Sequence, residues 1–347
     1  MQFDTSEFEA MEEDGEYELN EKIEELENKI RNGHYITLCQ CNVPVDFCDK
    51  CFEHLIYEIK KLGELKKRYL YIMGRQWKLK GKFGEDFRQK YNPGKMIGAG
   101  GSGQVYIGNN KASKQVAIKY VPERMIKWTI TENGRIPTEL WMLKRAQGWG
   151  TIQLIDSYKQ DDSYIYVMEN LDNSMDLEAY LALEDELCEK KAARIFKLIV
   201  LCVTQIITRG VVHMDLSPQN IIISPDTLQV KLIDFGLSEE YKEYNKYKFK
   251  QSEIYAPPEW IIRREIEGVP SSTWSLGLIL FRMVQGKLPF NNKEEICLNR
   301  LRFDKKCSKE FKTVVAKLLK KKFWERTRLV AILEDKWFSA MEEEDFH

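Results

Sequence analysis

The spacing of apolar residues divides the chain into helical and strand-rich stretches. Apolar residues recur at helical spacing between residues 19 and 30 and again between 52 and 73, and these two stripes predict a helical hairpin. Over 93–168, apolar and polar residues alternate between glycine and asparagine turns, which predicts strands. Over 169–338 helical spacing dominates, apart from two short strand-like runs. The pattern therefore predicts an α+β fold.

A glycine-rich stretch opens the strand-rich region. Its letters IGAGGSG place Gly98, Gly100 and Gly103 in a G-x-G-x-x-G pattern. A dinucleotide-binding fold uses the same pattern, but there the glycines open a helix, whereas residues 104–107 are strand-like here. The stretch is therefore interpreted as a hairpin, and a turn at 109–110 leads into the next strand. Its backbone amides can approach phosphate groups because no side chain intervenes.

Shifts in composition set the predicted domain boundaries. Residues 1–16 are predicted to form an acidic disordered tail, 17–92 a helical extension, 93–338 one large domain and 339–347 a second acidic tail. The 43% hydrophobic content is that of a chain that buries a core, and acids and bases nearly cancel to a net charge of −1. No basic patch with interleaved aromatic residues is present, so nucleic acid is not an expected partner.

The N-terminus and the most apolar window bear on location. The first residues are acidic and lack both the basic start and the apolar core of a secretory signal. The most apolar window, 195–212, contains Lys197 and Arg209 and is too polar for a membrane-spanning helix. We expect a protein of the cytoplasm or the nucleus that does not enter a membrane.

Four of the eight cysteines form a cluster in the helical extension. Cys39, Cys41, Cys48 and Cys51 follow a C-x-C-x6-C-x2-C pattern. Disulfides are not expected in a reducing compartment, and zinc favours four thiolate ligands, two of which a C-x2-C turn can supply. Against zinc, the intervening loop is short, and cysteine is also a common buried residue. A structural zinc ion and free core thiols both remain open.

Two charged residues interrupt apolar elements of the strand-rich region. Lys119 closes the strand-like letters VAIK, and Glu139 stands in RIPTELWMLKRA, where Leu140 and Leu143 can pack inward from a helix. A lysine that emerges from an apolar strand is either solvated or held by a carboxylate while it contacts phosphates. The second interpretation predicts an ion pair between Lys119 and Glu139.

Oxygen-bearing side chains flank two apolar runs further along the chain. Asp234 follows the run at 230–233 and begins Asp-Phe-Gly, whereas Asp215 and Asn220 lie in HMDLSPQN, directly before the run at 221–223. Magnesium prefers oxygen ligands, so Asn220 and Asp234 are the predicted magnesium ligands. Asp215 is the predicted base that accepts a proton from an attacking hydroxyl.

These motifs occur in the order found in protein kinases, and within that superfamily the chain resembles the Pim kinases. The resemblance covers 96–338 and includes GRIPTELWMLK, DLEAYL, VKLIDFG, PPEW and WSLGLILFRMVQGKLPF. It implies a two-lobed fold with a small β-rich N-lobe (93–168), a hinge (169–174), a larger helical C-lobe (175–338) and ATP bound between the lobes. The helical extension lies outside it. The catalytic residues that it implies are Lys119, Glu139, Asp215, Asn220 and Asp234.

The resemblance also implies a set of ATP contacts. These residues come from the glycine-rich stretch, the next strands, the hinge and a strand of the C-lobe: Ile97, Gly98, Gly100, Gly103, Val105, Ala117, Lys119, Met168, Glu169, Leu171 and Ile222. Met168 is the implied gatekeeper. Leu171 stands where Pim kinases have a proline, so its backbone N–H is available to adenine. Glu259 is expected to pair with Arg326.

Two residues depart from the catalytic-loop pattern of the family. Met214 replaces an arginine that usually pairs with a phosphorylated activation loop, which predicts activity without that phosphorylation. Ser252, in the activation loop, is a candidate phosphosite that also matches a structural threonine. Ser217 replaces a lysine that offsets charge on the transferring phosphoryl group, on the order of one to a few kcal/mol. This loss predicts a turnover that is roughly tenfold to a few hundredfold lower.

Two functional hypotheses follow. The first is a serine/threonine kinase of modest turnover that uses ATP and Mg²⁺ to phosphorylate protein hydroxyls. The second is an ATP-binding pseudokinase that acts as a scaffold, with a protein partner on its N-terminal helices. The intact Lys119, Asp215, Asn220 and Asp234 favour the first.

The expected substrate preference is weak. Pim-like kinases favour basic residues before the acceptor and recognise them with acids. Asp176 keeps one of these acids, Ala179 and Gln219 lose two others, and Asp172 and Glu178 lie nearby in sequence. The sequence therefore predicts a weakened preference for basic substrates.

Overall fold

The computed structural model describes most of the chain from residue 83 onwards. The described residues are Lys22, Glu25, 83–132, 134–184, 187–242, 246–247 and 255–343. One compact unit contains the described residues up to Gly100 together with 104–114, and a second contains 101–103 and those from Gln115 onwards. Apart from Lys22 and Glu25, the predicted helical hairpin lies outside the described residues, as do the four clustered cysteines and Ser252.

Strands prevail in the first part of the described chain. They are β1 (Tyr91–Gly100), β2 (Gly103–Asn110), β3 (Gln115–Pro122), β4 (Trp128–Thr131), β5 (Gly134–Pro137), β6 (Leu154–Lys159) and β7 (Ser163–Glu169), with helix α1 (Glu85–Lys90) before β1 and α2 (Thr138–Ala146) after β5. The turn predicted at 109–110 lies instead at 111–114, because β2 continues through Asn110. The Asn110 side chain accepts a hydrogen bond from the Lys114 N–H at 2.9 Å, which closes that turn.

The first unit is built on a buried aromatic cluster. Phe83 and Phe87 stack with their ring centroids 4.4 Å apart, Phe87 lies 5.4 Å from Tyr91, and Phe83 meets Tyr106 edge-on at 6.5 Å. All four rings are buried, and such pairs add to the stability that burial itself provides. The cluster joins α1 to β1 and β2, whereas the sequence assigned residues 85–92 to the helical extension.

In the second unit, β3, β7 and β6 form an antiparallel sheet with β7 in the centre. Lys119 lies within β3, opposite Tyr166 of β7. Helix α2 packs Leu140 against Val121 and Tyr166 in one buried cluster. One acid, Glu139, in its first turn and two bases in its last turn suit the helix dipole. The helix therefore presents Glu139 beside β3, as its apolar spacing predicted.

Helices dominate the rest of the second unit. They are α3 (Leu177–Glu184), α4 (Glu189–Thr208), α5 (Pro258–Arg263), α6 (Gly268–Gln285), α7 (Lys293–Leu298), α8 (Lys309–Leu318) and α9 (Lys336–Glu343). Helices α4 and α6 both contribute to the core: α6 buries nearly all of its side chains, whereas α4 buries one face between Ala192 and Ile206. Helix α6 ends at Gly286, whose φ of 75° is a conformation that glycine adopts without strain. Among the described helices, none has the length and apolar content needed to cross a bilayer.

Short strands connect the segments around these helices. The two predicted strand-like runs are confirmed as β10 (Ile221–Ser224) and β11 (Gln229–Leu232), which pair antiparallel. The sequence did not predict β8 (Met175–Asp176), β9 (Val211–Val212), β12 (Glu239–Glu240), β13 (Lys246–Tyr247) and β14 (Ile266–Glu267). These strands are too short to show a periodic pattern. Their ladders pair β8 with β10, β12 with β9 and β13 with β14.

A buried ion pair braces α5 against the end of the domain. The Arg326 guanidinium donates to both carboxylate oxygens of Glu259, at 2.8 and 2.5 Å, and the two side chains are 1% and 3% exposed. Arg326 also donates to the Lys320 and Pro270 carbonyls and lies over the Trp274 ring. The pair predicted from the sequence therefore forms, with the remaining donors of the guanidinium satisfied.

Breaking this pair is expected to destabilise the domain strongly. Arg326→Met leaves the Glu259 carboxylate buried without its partner, which costs about 3–5 kcal/mol. Urea unfolding at neutral pH measures this loss. The matched control is Lys322→Met, which removes an exposed pair with Glu325 and should change stability by less than about 1 kcal/mol. Equal losses in the two variants would contradict the prediction.

Candidate active site

One buried cation connects two carboxylates in the second unit. The Lys119 ammonium donates to Glu139 Oε1 at 2.5 Å and to Asp234 Oδ1 at 3.1 Å, and its side chain is 5% exposed. Burial by itself would lower the pKa of Lys119, but the two carboxylates outweigh it and raise the pKa above its ordinary value. The predicted ion pair between Lys119 and Glu139 therefore forms, and Lys119 stays charged.

Asp234 is held by three donors in an unusual backbone conformation. Its Oδ2 accepts from the Ser102 hydroxyl at 2.8 Å, and its Oδ1 accepts from Lys119 and from the Gly236 N–H at 3.1 Å. Its φ of 57° lies in the left-handed region, which is costly for a residue other than glycine and often marks a functional position. Burial opposes its charge, but Lys119, Ser102 and Gly236 lower the pKa to about 2. The carboxylate is thus anionic at neutral pH.

The Asn220 side chain fixes the position of Asp215. Its amide nitrogen donates to the Asp215 carbonyl at 2.9 Å and to Asp215 Oδ2 at 2.8 Å. The Asn220 N–H donates to the carbonyl of Ser217, and the Asn220 carbonyl accepts from Ile233 N–H, both at 3.0 Å. Asn220 is therefore tied both to the loop that carries Asp215 and to the segment that leads into Asp234.

His213 is a positioning residue that the sequence analysis did not identify. Its Nε2 lies 2.8 Å from the Ile233 carbonyl, and its Nδ1 lies 3.3 Å from the Asp215 N–H. The first contact requires a donor and the second an acceptor, so the ring is in the neutral tautomer protonated on Nε2. Burial lowers the pKa of His213 in agreement with this assignment. The histidine thereby joins the Asp215 loop to the strand end before Asp234.

The oxygen atoms of this site suit a magnesium ion. Asp234 offers carboxylate oxygens on a side chain that is 31% exposed, and Asn220 uses its amide nitrogen for Asp215, which leaves the amide oxygen as a possible ligand. Magnesium is commonly held by one or two protein oxygens together with substrate phosphates. Within the described part of the chain, no group of three or more His, Cys, Asp or Glu side chains is placed to hold a metal.

Met214 is buried in an apolar cluster. It is 6% exposed and packs with Val212, Tyr247, Ala256 and Ile266. Its φ of 64° is left-handed, like that of Asp234. The position from which an arginine would present a positive charge is therefore filled with hydrocarbon.

The predicted hinge begins at Glu169, whose side chain is bonded to residues outside the hinge. Glu169 Oε1 accepts from Lys231 at 2.5 Å and from the Gln153 N–H at 2.8 Å. The Leu171 carbonyl accepts from the Ser174 hydroxyl at 2.7 Å. Among the described residues, none accepts a hydrogen bond from the Leu171 N–H, so this donor can serve a ligand.

The other residues predicted to contact ATP fall in both units. Ala117 and Met168 are paired across β3 and β7, and Ile222 lies in β10. Gly103 belongs to the second unit; its φ is 122°, and a Cβ there would lie 2.4 Å from the Tyr120 carbonyl oxygen. The structure places the remaining predicted contacts in the first unit: Ile97, Gly98, Gly100 and Val105.

Comparisons with known proteins agree on one family. The family model described as "Protein kinase domain" matches residues 91–338, more than half of the chain. The chain is 30% identical to serine/threonine-protein kinase pim-2 of Danio rerio, over 75% of this chain and 88% of that protein. It is 31% identical to serine/threonine-protein kinase prk-2 of Caenorhabditis elegans, over 72% of this chain and 58% of that protein.

A third relative is longer still. The chain is 29% identical to the PAS domain-containing serine/threonine-protein kinase of Mus musculus, over 73% of this chain but only 19% of that protein. Members of this family use ATP with magnesium as the phosphoryl donor. The match over residues 91–338 and the names of these relatives show that the chain belongs to the protein kinase family, among its serine/threonine kinases.

Proposed function

We propose that this chain transfers the γ-phosphoryl group of ATP to protein serine and threonine hydroxyls with modest turnover and without activation-loop phosphorylation. The observation that carries the proposal is the set of bonds that Lys119 makes to Glu139 and Asp234. A buried lysine with two anionic partners keeps its charge and a fixed position, as phosphate binding requires.

The residues of the chain have separate roles in this proposal. The Asp215 carboxylate accepts the proton of the attacking hydroxyl, and Asn220 holds that carboxylate in place through its amide nitrogen. Asn220 and Asp234 offer the oxygens for magnesium, and Lys119 offers a cation for the α- and β-phosphates. A bound Mg²⁺–ATP supplies the phosphoryl group and neutralises its charge. Preorganised charges of this kind account for most of the rate in phosphoryl transfer.

The modest turnover is inferred from Ser217. This residue is 9% exposed and its backbone is extended, with φ −147° and ψ 161°. A lysine at this place would add a positive charge to the loop that carries Asp215. The flexible stem of such a lysine can carry its ammonium group out of the buried position.

We therefore expect Ser217→Lys to raise kcat roughly tenfold, which corresponds to about 1.4 kcal/mol of added transition-state stabilisation. Asp234→Asn should abolish transfer. The measurement is transfer from labelled ATP with magnesium to a serine peptide. Thr313→Lys adds the same charge on an exposed position of α8 and serves as the control, with kcat unchanged. A kcat that does not rise in Ser217→Lys would contradict the assigned cause.

The scaffold hypothesis makes a different prediction for the same assay. Wild-type protein would bind ATP and magnesium but transfer no phosphate to any serine or threonine peptide. If the wild type binds ATP but transfers no more phosphate than Asp234→Asn does, the kinase proposal is replaced by that of a scaffold.

Independence from loop phosphorylation is supported by contacts that need no phosphate. Arg145 of α2 donates to Glu240 of β12 at 2.7 Å and to the Arg209 carbonyl at 3.0 Å. The Tyr247 hydroxyl donates to the Glu240 carbonyl and accepts from the Lys242 N–H, both at 2.9 Å. Together with the apolar cluster around Met214, these contacts hold the activation segment, between Asp234 and Glu259, at Glu240, Tyr247 and Ala256.

Phosphatase treatment is accordingly expected to leave kcat within about twofold of its initial value, with mass spectrometry establishing that no phosphate remains. Arg145→Met should lower kcat several-fold, since it removes the charged contact between α2 and β12. Lys287→Met, which breaks an exposed pair with Asp304, is the control and should have no effect. A loss of activity of tenfold or more after dephosphorylation would contradict the proposal.

The lowered pKa of Asp234 has a consequence for stability at low pH. A carboxylate whose pKa falls from 3.8 to about 2 on folding contributes stability above pH 3.8, and that contribution is lost as the pH falls through 2. The stability of wild type minus that of Asp234→Asn should therefore decrease between pH 5 and pH 3. Urea unfolding of both proteins at these two pH values measures it. A difference that does not change with pH would contradict the ionised, bonded state of Asp234.

Two finer expectations stay predictions. The weakened preference for basic substrates rests on Asp176 and its neighbours in sequence. The choice between a structural zinc ion and free thiols for the cysteine cluster in 39–51 concerns residues outside the described part of the chain.

A further inference from the structure

An ion pair joins the first turn of α3 to the end of α6. Arg282 Nη2 donates to Glu178 Oε1 at 2.9 Å, and the two side chains are 18% and 35% exposed. Arg282 Nη1 also donates to the Gly286 carbonyl beyond the end of the helix. The guanidinium is therefore fixed at both of its terminal nitrogens, so the pair has lost much of the flexibility that weakens an exposed ion pair.

This pair lies close to the loop that carries the proposed catalytic base. Helix α3 directly follows β8, whose Asp176 pairs with Ile222 of β10, and α3 contacts residues Pro218–Asn220 of the loop that carries Asp215. The first turn of α3, which contains Glu178, therefore lies beside the loop to which a substrate hydroxyl must come.

The other acid on this helix is also engaged. Asp176 Oδ1 accepts from the Ala179 N–H at 2.8 Å, at the start of α3. This cap directs one oxygen of the aspartate to the backbone. Of the acids that the sequence analysis counted for basic substrates, Glu178 is thus neutralised by Arg282, and Asp176 is partly used within the protein.

We propose that Arg282 is a specificity-determining residue that cancels the charge of Glu178 and so suppresses recognition of basic residues before the acceptor. This inference rests on the proposed function, since it names the substrate class of the same site. Without Arg282, the Glu178 carboxylate is a free acceptor at the positive end of a helix, next to the loop that carries Asp215. An arginine of the substrate then takes the place of Arg282.

The test compares two peptides with each variant. One peptide carries arginines before the serine, and the other carries citrulline, a neutral isostere, at the same positions. The readout is the ratio of kcat/KM for the arginine peptide to that for the citrulline peptide. Arg282→Met should raise this ratio roughly fivefold, the factor that corresponds to about 1 kcal/mol. Glu178→Gln, which leaves the guanidinium uncompensated, should lower it several-fold.

Two further variants make the test specific. The double variant Arg282→Met with Glu178→Gln should return the ratio to near the wild-type value. Lys191→Met frees Glu184 at the other end of α3 by breaking a pair of 2.7 Å, and it should leave the ratio unchanged. An unchanged ratio in Glu178→Gln overturns the inference even if Arg282→Met does not fold.

Peptide binding separates this inference from the proposed function. Versions of both peptides with alanine in place of serine report binding by fluorescence anisotropy, without any transfer. The ratio of their dissociation constants should follow the same order across the variants. If wild type transfers no phosphate but the binding ratios shift as expected, the kinase proposal fails and the role of Arg282 stands. If transfer occurs and neither ratio shifts, the role of Arg282 is wrong.

Discussion

The buried charge of Lys119 is the constraint on which the site depends. A cation that is 5% exposed is tolerated only when anionic partners compensate for its lost hydration. Two partners come from different parts of the chain, Glu139 from α2 and Asp234 from the segment after β11. Helix α2 must therefore be packed on the sheet, and Asp234 must hold its left-handed backbone, for the lysine to remain charged where it lies. The core packing of Leu140 and the ties around His213 serve this one requirement.

The parts of the site that the sequence could predict are those fixed by local pattern. A lysine at the end of an apolar strand and a glutamate beside inward leucines are local patterns. Their positions relative to the glycine-rich stretch led to the pair of Lys119 and Glu139. Contacts made only by the tertiary fold gave no such signal. The Ser102 hydroxyl on Asp234 and the His213 ring between two segments join residues far apart in sequence. The two-residue strands were not predicted because they are too short to show an alternation of apolar and polar residues.

A buried apolar residue of the catalytic loop packs against the activation segment where related kinases have a cation. Met214 belongs to a family position that is usually cationic, and its side chain is packed among apolar neighbours. Such packing does not depend on salt or on a modification, whereas an arginine without its phosphate would be a buried charge in need of a partner. Met214 and Asp234 both adopt left-handed backbone conformations, and the bonds and packing around them must offset this strain. The segment is thus held by its own contacts in the state that the structure describes.

The bond from Ser102 to Asp234 connects the proposed magnesium ligand to the tip of the glycine-rich stretch. A cation bound at Asp234 Oδ2 would displace or share the hydrogen bond that this oxygen accepts at 2.8 Å. The free energy of that exchange would enter the affinity for the metal, and by thermodynamic reciprocity metal binding would weaken the Ser102 bond by the same free energy. Metal binding and the placement of Ser102 would for this reason be thermodynamically linked.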